Sequence, residues 1–263
     1  MFQTPFSKSM SLTLKITLTA LLIALAVVFQ KVLAINYIAA VPFLRISFGG
    51  PAMIIFASIV LGPFYGLLVG AASDLLGFLI FDPKTSGAMP FFQITFIYAL
   101  LGFASYFIYY LINKIKKEKL WLIIETIFML SIATFVTCFI FMTEEIQLYS
   151  STYILELWAK ILIASLAFVF CIFEVIFSLI FYKKHRETSK ISIPCLTFSL
   201  TIIELTIMVI FGTVMKGWAF GFQTYGAILL CQCIVFFINI PLNTVILTLL
   251  LTIFSRKYLR KSM

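Results

Sequence analysis

The sequence predicts an all-α polytopic membrane protein, a helical bundle of about eight transmembrane helices. Three observations predict it. Of the 263 residues, 63% are apolar and only 11% charged, where a soluble domain carries about a quarter charged residues. Apolar runs recur along the whole chain at the length of roughly 20 residues that a bilayer core about 30 Å thick demands of a helix. The net charge of +9 is gathered in short segments between those runs. So placed, basic residues set topology and are not the footprint of a nucleic-acid partner.

The runs, in order, are 12–34, 49–62, 64–81, 91–113, 120–142, 153–182, 192–215 and 226–254. Lys8 precedes and Lys15 lies in the first turns of a first run too long for a signal-peptide core, with no small-residue cleavage site, so it reads as a span. The second and third runs are short and separated only by Gly62-Pro63. Proline cannot continue the helical hydrogen-bond ladder, so a break is expected there, with one long kinked helix as the competing reading. Charge decides for the break. With the N-terminus inside, the cytoplasmic segments hold Lys8, Lys15, Lys114, Lys116, Lys117, Lys119, Lys183, Lys184, Arg186, Lys190, Arg256, Lys257, Arg260 and Lys261. The outer segments and span ends keep Lys31, Arg45, Lys84, Lys160 and Lys216, and the acidic run Glu144-Glu145 lies on that side. The positive-inside rule then gives eight spans with both termini cytoplasmic. No Pro- or Ser-rich linker divides residues 1–263, which read as a single membrane domain.

Small residues mark faces of close approach. Ala20 and Ala24 lie one turn apart on the first span, and Gly62, Gly66 and Gly70 repeat at four-residue spacing. Such stripes let helices approach within a bundle or against another subunit. Ionisable residues inside spans carry more information, because a charge at the bilayer centre costs about 2.5–3.5 kcal/mol even on insertion scales. Asp74, Glu174 and Glu204 are of this kind, open to a functional role or to that of a protonated or bundle-paired carboxyl. Glu125 is near enough to a span end to snorkel. Glu156 and Lys160, four apart, are expected to pair.

At the outer side, Arg45 stands between aromatic residues, and its planar fork suits a carboxylate as well as it suits a lipid headgroup. The turn-rich stretch 82–90 is placed to close over a pocket. Trp218 fits either a ring-stacking role or an interfacial aromatic belt. The five cysteines all fall in apolar runs and the single histidine, His185, in a basic loop, a pattern that makes a metal or haem site improbable. No phosphate-binding loop, H-E-x-x-H or G-x-S-x-G pattern occurs, so neither ATP hydrolysis nor hydrolytic chemistry is expected of this chain.

Three stretches together are more specific: Leu44-Arg45-Ile46-Ser47-Phe48-Gly49, Leu61-Gly62-Pro63, and Gly70-Ala71-Ala72-Ser73-Asp74-Leu75-Leu76-Gly77. This series resembles the substrate-binding S components of energy-coupling factor (ECF) vitamin transporters, with the folate branch the nearest likeness. Ala20 and Ala24 look like that family's A-x-x-x-A docking surface, and Ile240-Pro241-Leu242-Asn243 is similar to its Pro-containing last helix. S components usually have six spans. Residues 12–113 then resemble helices 1–4, 191–263 the last two, and 114–190 an inserted helical pair. Two departures fall where substrate is read. The branch's Pro-Gly-Phe-Thr stretch is here Pro90-Phe91-Phe92-Gln93-Ile94-Thr95, and no basic residue opens the last span.

The resemblance implies a bacterial plasma-membrane protein that captures folate or a related pterin from outside and needs no cofactor of its own. A transmembrane coupling subunit and two cytoplasmic ATPases would supply the energy. Arg45 and Lys84 would meet the anionic end of the solute, Asp74 and Thr95 would hydrogen-bond its ring, and Phe48 or Trp218 would stack on it. Riboflavin, thiamine or pantothenate are alternatives within the family. A stand-alone proton-coupled carrier using Asp74, Glu174 or Glu204 is the alternative outside it.

Overall fold

A computed structural model describes residue 4 and residues 10–34, 48–81, 92–115, 117–148, 151–185, 192–221 and 224–259. The chain is the helical membrane bundle that its composition predicts. Among the described residues, seven helices are long and apolar enough to cross a bilayer, and an eighth, shorter apolar helix accompanies them. In lipid the hydrophobic effect no longer drives helices together, because the acyl chains are as apolar as leucine. Close packing and interhelical hydrogen bonds carry the association instead.

Helix α1 spans Leu12–Val27, opened by Ser11, whose hydroxyl accepts the Leu14 amide at 3.3 Å. It runs on as a π-helical turn at Val28–Val32. Helix α2, Gly50–Leu61, is entered through Gly49 at φ +73° and has Pro51 in its first turn. All of its twelve residues are buried. At about 1.5 Å per residue it is roughly 18 Å long, well short of a bilayer core of about 30 Å. The second expected span is thus a helix sheathed by the others.

Gly62, at φ +116°, separates α2 from α3, Pro63–Phe81. A Cβ placed on Gly66 would sit 2.9 Å from the Ser58 Cα, so the chain folds straight back on itself at the Gly-Pro step. The single kinked helix is excluded. Gly66 also meets Gly102 of α4, Phe92–Lys114, backbone against backbone, and Gly70 meets the Tyr98 carbonyl of the same helix. The glycine stripe therefore works inside the bundle, holding α3 against α4.

Helix α5, Glu118–Met142, and helix α6, Leu157–His185, form a hairpin. Their connection contains a feature that apolar periodicity could not register. Strands β1, Glu145–Leu148, and β2, Ser151–Ile154, pair antiparallel with Glu145 opposite Ile154 and Leu148 opposite Ser151. The sixth helix accordingly begins at Leu157, four residues later than the span predicted from 153. Glu156 and Lys160 have different partners instead of each other: Glu156 accepts from the Trp158 indole, and the Lys160 ammonium donates to the Phe141 carbonyl at 3.4 Å. A lysine tied to the last turn of α5 satisfies a helix-end carbonyl that has no helical donor.

The seventh span is one rod of three parts: α7, Ile193–Ile203, a π-helical segment at Glu204–Phe211, and α8, Gly212–Phe220. Pro194 opens it, and it runs to Phe220, five residues beyond the expected 215, where Gly221, at φ +97°, ends it. Helix α9, Tyr225–Leu259, carries Pro241 in its interior. The seventh and last spans are the most enclosed of the long helices. Around them α5 and α6 turn Ile123, Ile127, Phe135, Val169, Ile172 and Ile176 outward, as lipid-facing helices must.

Candidate functional site

The first polar cluster gathers at one end of the bundle from four helices. Asp74 lies in α3, inside the span as the sequence predicts, and its carboxylate Oδ2 accepts the Thr95 hydroxyl of α4 at 2.6 Å. The glycine contacts one and two turns earlier fix this register: Gly70 against Tyr98 sets Asp74 opposite Thr95. Lys216, from α8, lies within electrostatic reach of Asp74 and of Cys231 on α9. The Lys31 stem, from the π turn after α1, runs along Gly77, one turn beyond Asp74, where a Cβ would come within 3.0 Å of its Cε. A carboxylate, a hydroxyl and two ammonium stems thus share one end of the fold. Such a set offers both hydrogen-bond partners for a polar ring and positive charge for an anion.

Of the residues singled out from sequence, Asp74 and Thr95 are brought into direct contact. Phe48 is half-buried against the apolar core beside Gly49, which itself meets Phe29 and Ile246. Trp218 stands 64% exposed, two residues from Lys216, an exposure that suits the aromatic-belt role. Arg45 and Lys84 lie outside the described residues. Lys216 and Lys31 were not among the predicted contacts. The signal for them was present: they belong to the few basic residues left on the side that the positive-inside rule keeps poor in them, and such leftovers need another reason.

On α1, Ala20 and Ala24 both face outward, in a stripe completed by Ile16 and Val28. Among the described residues, no helix covers it. A family model for the substrate-specific component of ECF transporters matches residues 14–184. The chain belongs to that family. No curated protein and no solved structure compared with it matches. The match runs undivided from α1 through α6, so it takes in the α5–α6 hairpin together with the helices before it. S components are substrate-binding transport proteins rather than enzymes, and they work in association with an ECF module.

This S component holds a second polar cluster, deep between α5, α6, α7 and α9. The Glu125 carboxylate on α5 accepts from Ser178 of α6 at 3.1 Å and from Thr197 of α7 at 2.8 Å. Glu174 on α6 accepts from Thr244 of α9 at 2.7 Å. Glu204, the first residue of the π segment, accepts from the Asn243 amide of α9. Each of the three glutamates is at most 1% exposed. Glu125, placed by sequence near enough to a span end to snorkel, instead turns inward to bind its neighbours.

Proposed function

We propose that this S component captures folate or a related pterin, with the Asp74–Thr95–Lys216 cluster as the floor of its pocket. The observation that carries the reading is the 2.6 Å hydrogen bond between Asp74 and Thr95 at the bundle end that also holds Lys216. A carboxylate beside a hydroxyl can take two neighbouring N–H groups of a flat heterocycle. Lys216 supplies the cation that the sequence lacks at the start of the last span, and it, Arg45 and Lys84 attract the anionic end. Phe48 and Trp218 are the aromatic faces available to the ring. The run from Arg45 through Gly77 that resembles the folate branch supports the same solute.

In this reading both termini are cytoplasmic, the pocket opens outward, and α5–α6 is an addition to a six-helix core. The stripe Ile16, Ala20, Ala24 and Val28 meets the coupling subunit, whose two ATPases drive release of the solute inward. Thermal unfolding of the purified chain with folate, riboflavin, thiamine and pantothenate tests the solute. A ligand at about a hundred times its Kd adds roughly 2.7 kcal/mol to stability, so folate raises Tm with concentration and the others do not. Lys216→Ala and Asp74→Asn abolish the shift. A shift with another vitamin transfers the pocket to that vitamin, and uptake of labelled folate without an ATPase partner overturns the ECF scheme.

A further inference from the structure

The seam between α5–α6 and α7–α9 has too many acceptors for its donors. Glu125 Oε1, Glu174 Oε2 and Asn243 Oδ1 are all buried with no hydrogen-bond partner. Asn243 is committed to the cluster through its amide, which donates to Glu204, so its orphaned oxygen lies in the same place. The backbone adds to the surplus. Pro241 has no N–H, which leaves the Phe237 carbonyl without its helical donor, and the π segment of the seventh span starts at Glu204 on the facing helix.

Nothing cationic answers these acceptors among the described residues. The groups that act on Glu125 are Glu174, Ser178 and Thr197, and those that act on Glu204 are Asn243 and Glu174. Glu174 thus stands between the other two. The remaining titratable neighbours are Cys171 of α6 and Cys195 of α7, the latter flanked by Tyr109 of α4 and Glu118 of α5. From α9 only amides and hydroxyls reach the cluster, and Lys216 of α8 lies with Asp74. Three ionised carboxylates here would each face the penalty of a buried, unpaired charge, several kcal/mol apiece. A hard metal ion would need about six oxygens around one point, and no group of three His, Cys, Asp or Glu is close enough to hold one among the described residues. A proton fits. It removes a charge and converts an orphaned acceptor into an O–H donor, the kind of group in which this seam is short.

We propose that Glu125, Glu174 and Glu204, with Asn243, form a proton-binding seam that clips the α5–α6 hairpin to α7 and α9. All three carboxyls carry protons while the seam is closed, and opening it to water releases them. The sign follows from linkage: the closed seam binds protons that the water-filled seam does not, so closure is favoured at low pH and weakens as pH rises. The seam is independent of which solute the other end of the bundle takes.

Infrared spectroscopy of the full chain in lipid nanodiscs at neutral pH is the test. The carbonyl stretch of protonated carboxylic acid is expected, and Glu125→Gln, Glu174→Gln and Glu204→Gln each remove part of it. The wild-type Tm falls as pH rises, and each glutamine variant loses about one third of that slope, since the slope counts protons. A wild-type spectrum with carboxylate bands alone, or an acid band that survives all three substitutions, overturns the proposal. So does a Tm that follows sodium concentration instead of pH. Should a variant not fold, the wild-type spectrum and its pH dependence decide alone.

Discussion

Gly70 shows how little room the bundle leaves at single residues. A Cβ there would run into the Tyr98 carbonyl, a backbone atom that cannot step aside without moving α4. Overpacking of this kind costs about 1–3 kcal/mol, and here it also disturbs the register that sets Asp74 against Thr95. Gly70→Ala is therefore expected to lower Tm and to weaken solute stabilisation together. Gly226→Ala, where nothing lies within 4 Å of the new methyl, leaves both within measurement error. Thermal unfolding with and without solute reads the two variants side by side; equal effects would mean that the glycine contact does not set the pocket. At this scale the sequence was legible where burial is costly. A carboxyl inside a span, as at Asp74, Glu174 and Glu204, announces itself. Lys216 did not, because a lysine near a span end costs little and reads as a topology marker until the fold sets it beside Asp74.

Elements were legible in proportion to how far their apolar runs identify them. Eight runs became eight helices, and Gly62-Pro63, with a glycine at positive φ followed by a residue that starts helices, became a reversal. Apolarity does not report backbone hydrogen-bond pattern, so the π segments at 28–32 and 204–211 and the β1–β2 hairpin had no signature. Nor does it tell a lipid-crossing helix from one sheathed by others, which is why α2 read as an ordinary span. The stripe on α1 is the reverse case: Ala20 and Ala24 were readable as small residues, and only the fold leaves them uncovered. A helix docked there must approach closely, so Ala20→Phe with Ala24→Phe is expected to cut copurification with the coupling subunit at least tenfold, about 1.4 kcal/mol. Because the stripe faces away from this chain's core, Tm and its solute shift stay unchanged. Loss of the solute shift instead would place the stripe inside the pocket's own support.

Over the whole molecule, the bundle separates two polar centres that charge counting alone would have merged. The Asp74 cluster brings its own lysines, Lys216 and Lys31. The three glutamates lie where helices seal against one another and, among the described residues, accept hydrogen bonds only from neutral groups. Which end meets the outside is an inference from charge: the turn at 114–119 is dense in lysine, while the connection at 82–91 holds Lys84 alone. An excess of lysine near span ends holds a segment in the cytoplasm, so the proposed pocket is expected to face the medium. Replacing the five native cysteines by alanine and introducing Ser86→Cys or Lys117→Cys separately makes this measurable in whole cells. A membrane-impermeant maleimide is expected to label position 86 and to spare position 117 until the cells are opened. The opposite pattern would turn the lysine-flanked pocket toward the cytoplasm, where capture of an external vitamin is impossible, and solute binding would then have to be sought at the other end of the bundle.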